Sequence, residues 1–394
     1  MRTGRALYGL VVLLFAGCAS EREKRPYAEL DSARLAFDTT ADAEGDAAVD
    51  GLFARLGAEA EAYREGKSPT PPTIDILVVS GGGDWGAFGA GVLKGWGRVT
   101  DPAMRRPRFD IVTGVSTGAL IAPFAFLGDD AAIDRVDELY RHPAPDWVDP
   151  RGFLTLLFGT DSLATLPGLE RDMRAVIDRD FLARVADSGK DGRLAFVSAT
   201  NVDYGSVRAF ELAGEARRAI DSGDLARFHT ILFASSAIPG VFPPREIEGS
   251  LYVDGAMTGN ILYGAKLRGD RSLYARWTRR YSGLPMPKTR YWVIFNNQLR
   301  FPPEITQPAL GEIVTRGLFI STQQATVSAI RHLFAQSALE AKERGIEIEV
   351  RMLAIEDDWR AKTPGSFVAE TMNDLADMGA RLGADPKSWR SEAP

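Results

Sequence analysis

The chain has 394 residues, 25% of them charged, and a formal net charge of -6. That length suits one large globular domain or two small ones with a sizeable core, and the acidic balance excludes the basic footprint of a general nucleic-acid binder. A single cysteine excludes an intramolecular disulfide or a metal site built on several thiolates, and three histidines, His142, His229 and His332, leave little from which to build a histidine zinc site.

Arg2 and Arg5 precede an apolar run, Ala6 to Ala16, that ends in Gly17-Cys18. A basic start, a short apolar stretch and small residues at its end predict a secretory signal over residues 1–17. The run is shorter than the about 20 residues of a membrane span. Leu14-Phe15-Ala16-Gly17-Cys18 resembles a bacterial lipobox, with Phe15 where leucine is usual. That resemblance implies a lipidated Cys18 as the mature N-terminus. It also implies export across the inner membrane and anchoring to a membrane surface, at the periplasmic face or the outer membrane. Each buried methylene of an acyl chain adds about 0.8 kcal/mol to such anchoring. A plain signal peptide, with Cys18 incidental, is the alternative.

Residues 18–72 are rich in Ala, Glu, Asp and Arg and close with Ser68-Pro69-Thr70-Pro71-Pro72. They read as a linker, with a helix around Ala47 to Arg64 and a semi-rigid spacer after it. The folded region then begins. Ile76-Leu77-Val78-Val79-Ser80 predicts a buried strand ending in Gly81-Gly82-Gly83, followed by a small-residue helix from Ala87 to Gly97. Phe109 to Thr113 predicts a second strand and Thr117 to Leu127 a helix, with Pro123 expected to kink it or shift its start. Further strands are predicted at Ala195–Thr200, Ser206–Phe210, Ser250–Val253, Tyr291–Phe295 and Ile346–Ile355, with helical patterns between and after them. Strands alternating with helices imply an α/β layered fold around a largely parallel sheet. Residues 270–394 are expected to extend the sheet of the core at 73–269.

Three short motifs carry chemistry. Gly114-Val115-Ser116-Thr117-Gly118 is a Gly-x-Ser-x-Gly pattern after an apolar strand and before a helix, the context a nucleophile elbow requires. Flanking glycines leave room on a sharp turn where a side chain would clash. The helix start then points backbone N–H groups at the reacting carbonyl. Gly81-Gly82-Gly83-Asp84-Trp85-Gly86 matches a dinucleotide fingerprint by spacing, but no acidic residue closes the next strand as that reading needs. The better expectation is an oxyanion hole at Gly81, Gly82 and Gly83, with Gly82 and Gly83 favoured as donors. Tyr252-Val253-Asp254-Gly255-Ala256 ends a short strand in an aspartate on a glycine turn. A serine hydroxyl needs a base within hydrogen-bond reach. Asp254 is the candidate because the histidines are poorly placed: His142 in an apparent loop, His229 before an apolar run, His332 on the solvent side of a helix.

In this order the glycine loop, the elbow and the Asp254-Gly255-Ala256 turn resemble the patatin-like phospholipase family. Ser235-Ser236-Ala237-Ile238-Pro239-Gly240-Val241-Phe242-Pro243-Pro244 resembles the stretch before that family's aspartate. The resemblance covers about residues 74 to 265 well. It implies a three-layer α/β/α sandwich, a Ser116–Asp254 dyad without histidine, and hydrolysis of acyl esters of lipids through an acyl-enzyme, with no metal or organic cofactor. One departure is local: many members carry Arg or Lys in the glycine loop, where this chain has Asp84-Trp85. Two other readings remain open. One is an esterase or thioesterase on other acyl groups, with Phe153, Leu156, Leu157, Phe158, Leu163 and Leu166 lining an acyl groove or simply forming core. The other is a catalytically quiet lipid-binding lipoprotein.

Overall fold

The computed structural model describes residues 22, 24–151, 160–264 and 272–394. The predicted signal, Cys18 and the apolar residues Phe153, Leu156, Leu157 and Phe158 lie outside them. In chain order the elements are α1 (Tyr27–Arg64), β1 (Thr73–Val79), α2 (Gly86–Trp96), β2 (Ile111–Val115), α3 (Thr117–Leu127), α4 (Asp130–Arg141), β3 (Asp149–Pro150) and β4 (Ala164–Thr165). There follow α5 (Pro167–Val176), α6 (Arg179–Ser188), β5 (Leu194–Asn201), β6 (Ser206–Glu211), α7 (Leu212–Ser222), α8 (Ala226–Ser235), β7 (Arg245–Ile247) and β8 (Ser250–Asp254). The last are α9 (Leu273–Arg280), β9 (Lys288–Gln298), α10 (Leu310–Arg344), β10 (Ile348–Ile355) and α11 (Ala369–Ala384).

Successive side chains of a strand point to opposite faces. In β1, Leu77 and Val79 join one apolar core and Ile74, Ile76 and Val78 the other. A strand apolar on both faces must be covered on both, and helices do this. α2, α3 and α11 pack into the first core, and α1, α9 and α10 into the second. The result is the α/β/α sandwich. The main sheet runs β10-β9-β1-β2-β5-β8-β7, with β6 on the other edge of β5. β10, β9, β1, β2 and β5 are parallel. β6 and β8 run antiparallel to β5. A polar clasp joins β1 to β9: buried Asp75 accepts from Arg290 Nε at 2.8 Å and from Trp292 Nε1 at 2.8 Å.

The segment read as a linker is largely helix. Val49, Leu52, Phe53, Leu56 and Ala60 recur at helical spacing and are buried in the second core. Arg276 reaches back to Asp46 at 2.9 Å, and the Tyr281 hydroxyl donates to the Phe53 carbonyl. The residues upstream, good helix formers, continue the same helix back to Tyr27. α3 runs unbroken through Pro123. Among the described residues no helix is long and apolar enough to cross a membrane.

Two helices meet closely enough to exclude side chains. A Cβ on Gly91 or Gly95 of α2 would lie 2.1 or 2.0 Å from carbonyl oxygens of α11, and Gly379 and Gly383 of α11 return the contact. This fixes α11 against the helix that follows the glycine loop.

Candidate active site

Ser116 is the single residue between the end of β2 and the start of α3. Its backbone sits at φ 54° and ψ -125°, a conformation that costs a non-glycine residue about 1–3 kcal/mol and persists only where neighbours enforce it. The neighbours are identifiable. The Ser116 N–H donates to Ser235 Oγ at 3.0 Å, and that hydroxyl donates to the Ser198 carbonyl at 2.7 Å. The flanking glycines are required by contact: a Cβ at Gly114 would lie 2.2 Å from the Gly118 carbonyl oxygen, and one at Gly118 would lie 2.3 Å from the Val79 carbonyl oxygen. Only glycine lets β1, β2 and α3 approach this closely. The first turn of α3 leaves its positive end beside Ser116.

The glycine loop follows β1, the neighbour of β2. A Cβ on Gly81 would stand 2.8 Å from Ser116 Cβ, and one on Gly82 would stand 2.3 Å from the Asn296 carbonyl oxygen. Gly83 adopts φ 60°, in the left-handed region that glycine occupies at little cost. The expectation of three oxyanion donors is corrected at Gly81. Its N–H is occupied by Asn260 Oδ1 at 2.9 Å, so it positions the loop instead. Among the described residues no acceptor meets the amides of Gly82 and Gly83.

Asp254 ends β8 and is 2% exposed. Its N–H donates to the Ala237 carbonyl at 2.8 Å, and its Oδ1 accepts from the Ala256 N–H at 2.8 Å. A Cβ on Gly255 would lie 2.2 Å from the Ser198 carbonyl oxygen, so the turn after Asp254 is pressed against β5. The Ser116 hydroxyl is near enough to the Asp254 carboxyl to help hold its pKa down. Burial pushes that carboxyl up to about 7, and the Ala256 amide and Ser116 hydroxyl offset only part of the rise. The histidines stay away from this pair. His229 is buried with Nε2 on the Ile177 carbonyl, His142 caps its own helix through Glu138, and exposed His332 meets the Tyr263 hydroxyl at 2.8 Å. Among the described residues no cluster of three or more His, Cys, Asp or Glu side chains is placed to hold a metal ion.

Beside Ser116 lies an apolar cavity of about 30 Å³ whose wall includes Leu120, Trp147, Leu166, Phe242 and Phe367. Leu166 therefore faces the site, whereas Leu163 is 49% exposed. Phe367 is unusual for a bulky residue in having φ 60°, at a cost of about 1–2 kcal/mol. Its N–H donates to Asp84 Oδ2 at 2.8 Å, and burial raises the Asp84 carboxyl above its ordinary range. A wider depression of about 790 Å³ opens at the other end of the sheet, where Arg55 and Arg108 already pair with Asp110 and Asp191.

Asn260, Ser235 and Phe367 were not identified from the sequence as site residues. Ser235 sits in the stretch that resembles the family, so a signal existed. Asn260 and Phe367 have no local motif to mark them.

A mostly parallel sheet covered on both faces, with a serine on a strand-to-helix elbow and a glycine turn beside it, is the arrangement of the lipid acyl hydrolase class. Residues 77–265 match the family model described as patatin-like phospholipase, and this segment of the chain is a patatin-like phospholipase domain. Among solved structures the chain is similar to VipD from Legionella pneumophila, at 11% identity and a TM-score of 0.34, over 78% of this chain and 67% of that one. No curated protein matches it.

Proposed function

We propose that the chain hydrolyses carboxylic esters of lipids, in the manner of a phospholipase A or lysophospholipase, with Ser116 as nucleophile and Asp254 as general base. What supports this reading is a hydroxyl on a strained elbow set beside a buried carboxyl that burial pushes up to about 7. A carboxylate of ordinary acidity is a poor base at neutral pH; one raised to this range is matched to proton transfer there.

Asp254 takes the hydroxyl proton as Ser116 Oγ bonds to the ester carbonyl carbon. The carbonyl electron pair moves onto oxygen, where the Gly82 and Gly83 amides and the start of α3 stabilise it. When the carbon–oxygen bond breaks, the departing alkoxide takes the proton from Asp254 and leaves as the alcohol or lysolipid. Water then attacks the acyl-enzyme, giving its proton to Asp254. Collapse frees the acid and returns that proton to Ser116. The scheme uses no metal or organic cofactor.

Labelling by an active-site fluorophosphonate, together with ester hydrolysis, tests the assignment. Wild type should label at Ser116 and turn over ester, and Ser116→Ala should do neither. Turnover surviving in Ser116→Ala sinks it. Attachment to a membrane through a lipidated Cys18 belongs to the same proposal and rests on the pattern of residues 2–18. Mass spectrometry of the peptide beginning at residue 18 tests it, because an unmodified cysteine there removes the anchor.

A further inference from the structure

Resting on the lipid hydrolase reading of Ser116, we propose that the first turns of α10 and the loop before them insert into the surface of a lipid bilayer, setting the end of the sheet that carries Ser116 against its substrate. α10 divides at Gln323. Its buried residues, Gln323, Thr326, Val327, Ile330, Leu333 and Ser337, all lie at or after that point, and residues 310–322 include none. The reason is where the helix meets the sheet. Gln323 Nε2 donates to the carbonyls of Gln298 and Leu299, at 2.9 and 2.8 Å, where β9 ends. β9 runs parallel to β1 and β2, whose ends carry the glycine loop and Ser116. Gln323 is therefore level with the site end of the sheet. From there α10 returns to the start of β10. In the other direction residues 310–322 overhang the strand ends by about 20 Å, at about 1.5 Å per residue.

The overhang is apolar and uncovered. Leu310 is 80% exposed, and with exposed Ile313, Val314 and Ile320 it forms one stripe at helical spacing. Phe319 is exposed on the opposite side of the helix, and Ile305, in the loop before it, is 88% exposed. Between Leu310 and Ile330 the only charged residues are Glu312 and Arg316, and Arg316 is paired with Glu304 at 2.6 Å. A helix apolar on opposite sides is normally enclosed. A flat protein partner covers one side of it, whereas lipid surrounds it. Interfacial helices sink their apolar surface about 5–10 Å below the headgroups, well within the reach of this overhang. The beginning of the chain arrives at the same end of the sheet. Arg22, shortly after the proposed anchor at Cys18, pairs at 2.7 Å with Asp203, just past the end of β5. Anchor, inserted helix and Ser116 then address one lipid surface.

The test uses the full chain with Cys18→Ser, which removes its only cysteine, and one new thiol, from Val314→Cys or from Leu339→Cys, carrying an environment-sensitive dye. Leu339 is an exposed apolar residue of the same helix near its other end. On phosphatidylcholine vesicles the dye at position 314 should shift to the blue and be quenched by brominated acyl chains, and the dye at position 339 should do neither. Adding Leu310→Asp and Ile313→Asp, both at exposed positions, should abolish the shift at 314. Insertion at 314 in a chain that hydrolyses no ester sinks the hydrolase reading and leaves the insertion standing. No shift at 314, equal shifts at 314 and 339, or a shift that survives the two aspartates overturns the insertion. So does a shift at 314 that grows with protein concentration in the absence of vesicles, the mark of a second copy covering the same helix.

Discussion

Asp254 stands beside Ser116 because both occupy one edge of β5. Val115 pairs with Ser198, and Asp254 pairs with the next residue, Ala199. β6 takes the opposite edge of the same residues. Where β2 stops and turns into the elbow, the antiparallel β8 arrives along the edge β2 has left. Sheet register alone thus brings a carboxyl to a hydroxyl from far earlier in the chain. A one-residue slip of β8 would turn Asp254 to the other face.

The burial that raises the Asp254 carboxyl to about 7 predicts the pH dependence of turnover. The base works only when ionised. kcat/KM should climb about tenfold per pH unit below about 7 and level off above it. A profile flat between pH 5 and 8 would remove Asp254 from that role.

Stability should respond in the opposite sense. An unfolded carboxyl loses its proton near 3.8, while the folded one keeps it to about 7. Between these values the unfolded chain binds fewer protons, so the contribution is full below the lower value and lost as pH rises through the upper one. Asp254→Asn, neutral at every pH, should not show this loss. Its urea midpoint should gain on wild type from pH 4 to 7 and then run parallel to it. Superimposable trends would contradict the shift.

What the sequence made legible was local. The strand, the glycine loop and the elbow are runs of consecutive residues, and each appears where the spacing puts it. Asp254 was legible only through chemistry, as a serine in need of a base, and through resemblance. Partners that meet solely in the fold were not legible. Nothing near Asn260 announces that it holds the Gly81 amide, and nothing near Phe367 announces Asp84. Asp84-Trp85 read only as a departure from the basic residue many family members carry there, whereas Asp84 accepts the Phe367 N–H and Trp85 packs on Trp359 from the end of the chain. α1 read as a linker with a shorter helix, around Ala47 to Arg64, for a related reason: only Val49 to Ala60 carry a buried face, and the upstream turns are mostly exposed.

His332 separates a dyad from a triad. It is exposed on α10, and its ring hydrogen-bonds Tyr263. His332→Ala should therefore hydrolyse ester within about twofold of wild type, since a positioned acid–base group contributes about 10²–10⁴-fold. A collapse of kcat in this variant would install a histidine the geometry leaves out.

Gly118→Ala should damage fold and chemistry together. Its new methyl would stand 2.3 Å from the Val79 carbonyl oxygen, and backbone on both sides leaves no flexible side chain to give way. Overpacking of this kind costs about 1–3 kcal/mol, which thermal unfolding would register. The shift of α3 away from β1 should also relax the elbow and lower fluorophosphonate labelling at temperatures where the variant is still folded. An alanine variant as stable and as reactive as wild type would show that the close approach is not needed.

Asn260 offers the cleanest test of the glycine loop, because it acts through Gly81 and lies outside the proton-transfer pair. Asn260→Ala leaves the Gly81 N–H buried without its acceptor, a loss of about 1–3 kcal/mol. The loop is then free to reorient the Gly82 and Gly83 amides. Those amides matter most once charge has developed on the carbonyl oxygen, so kcat should fall more than KM rises. Asn260→Asp retains an acceptor of the same length and should recover much of kcat while alanine does not. Equal kcat in the alanine and aspartate variants would show that the Gly81 contact does not position the donors.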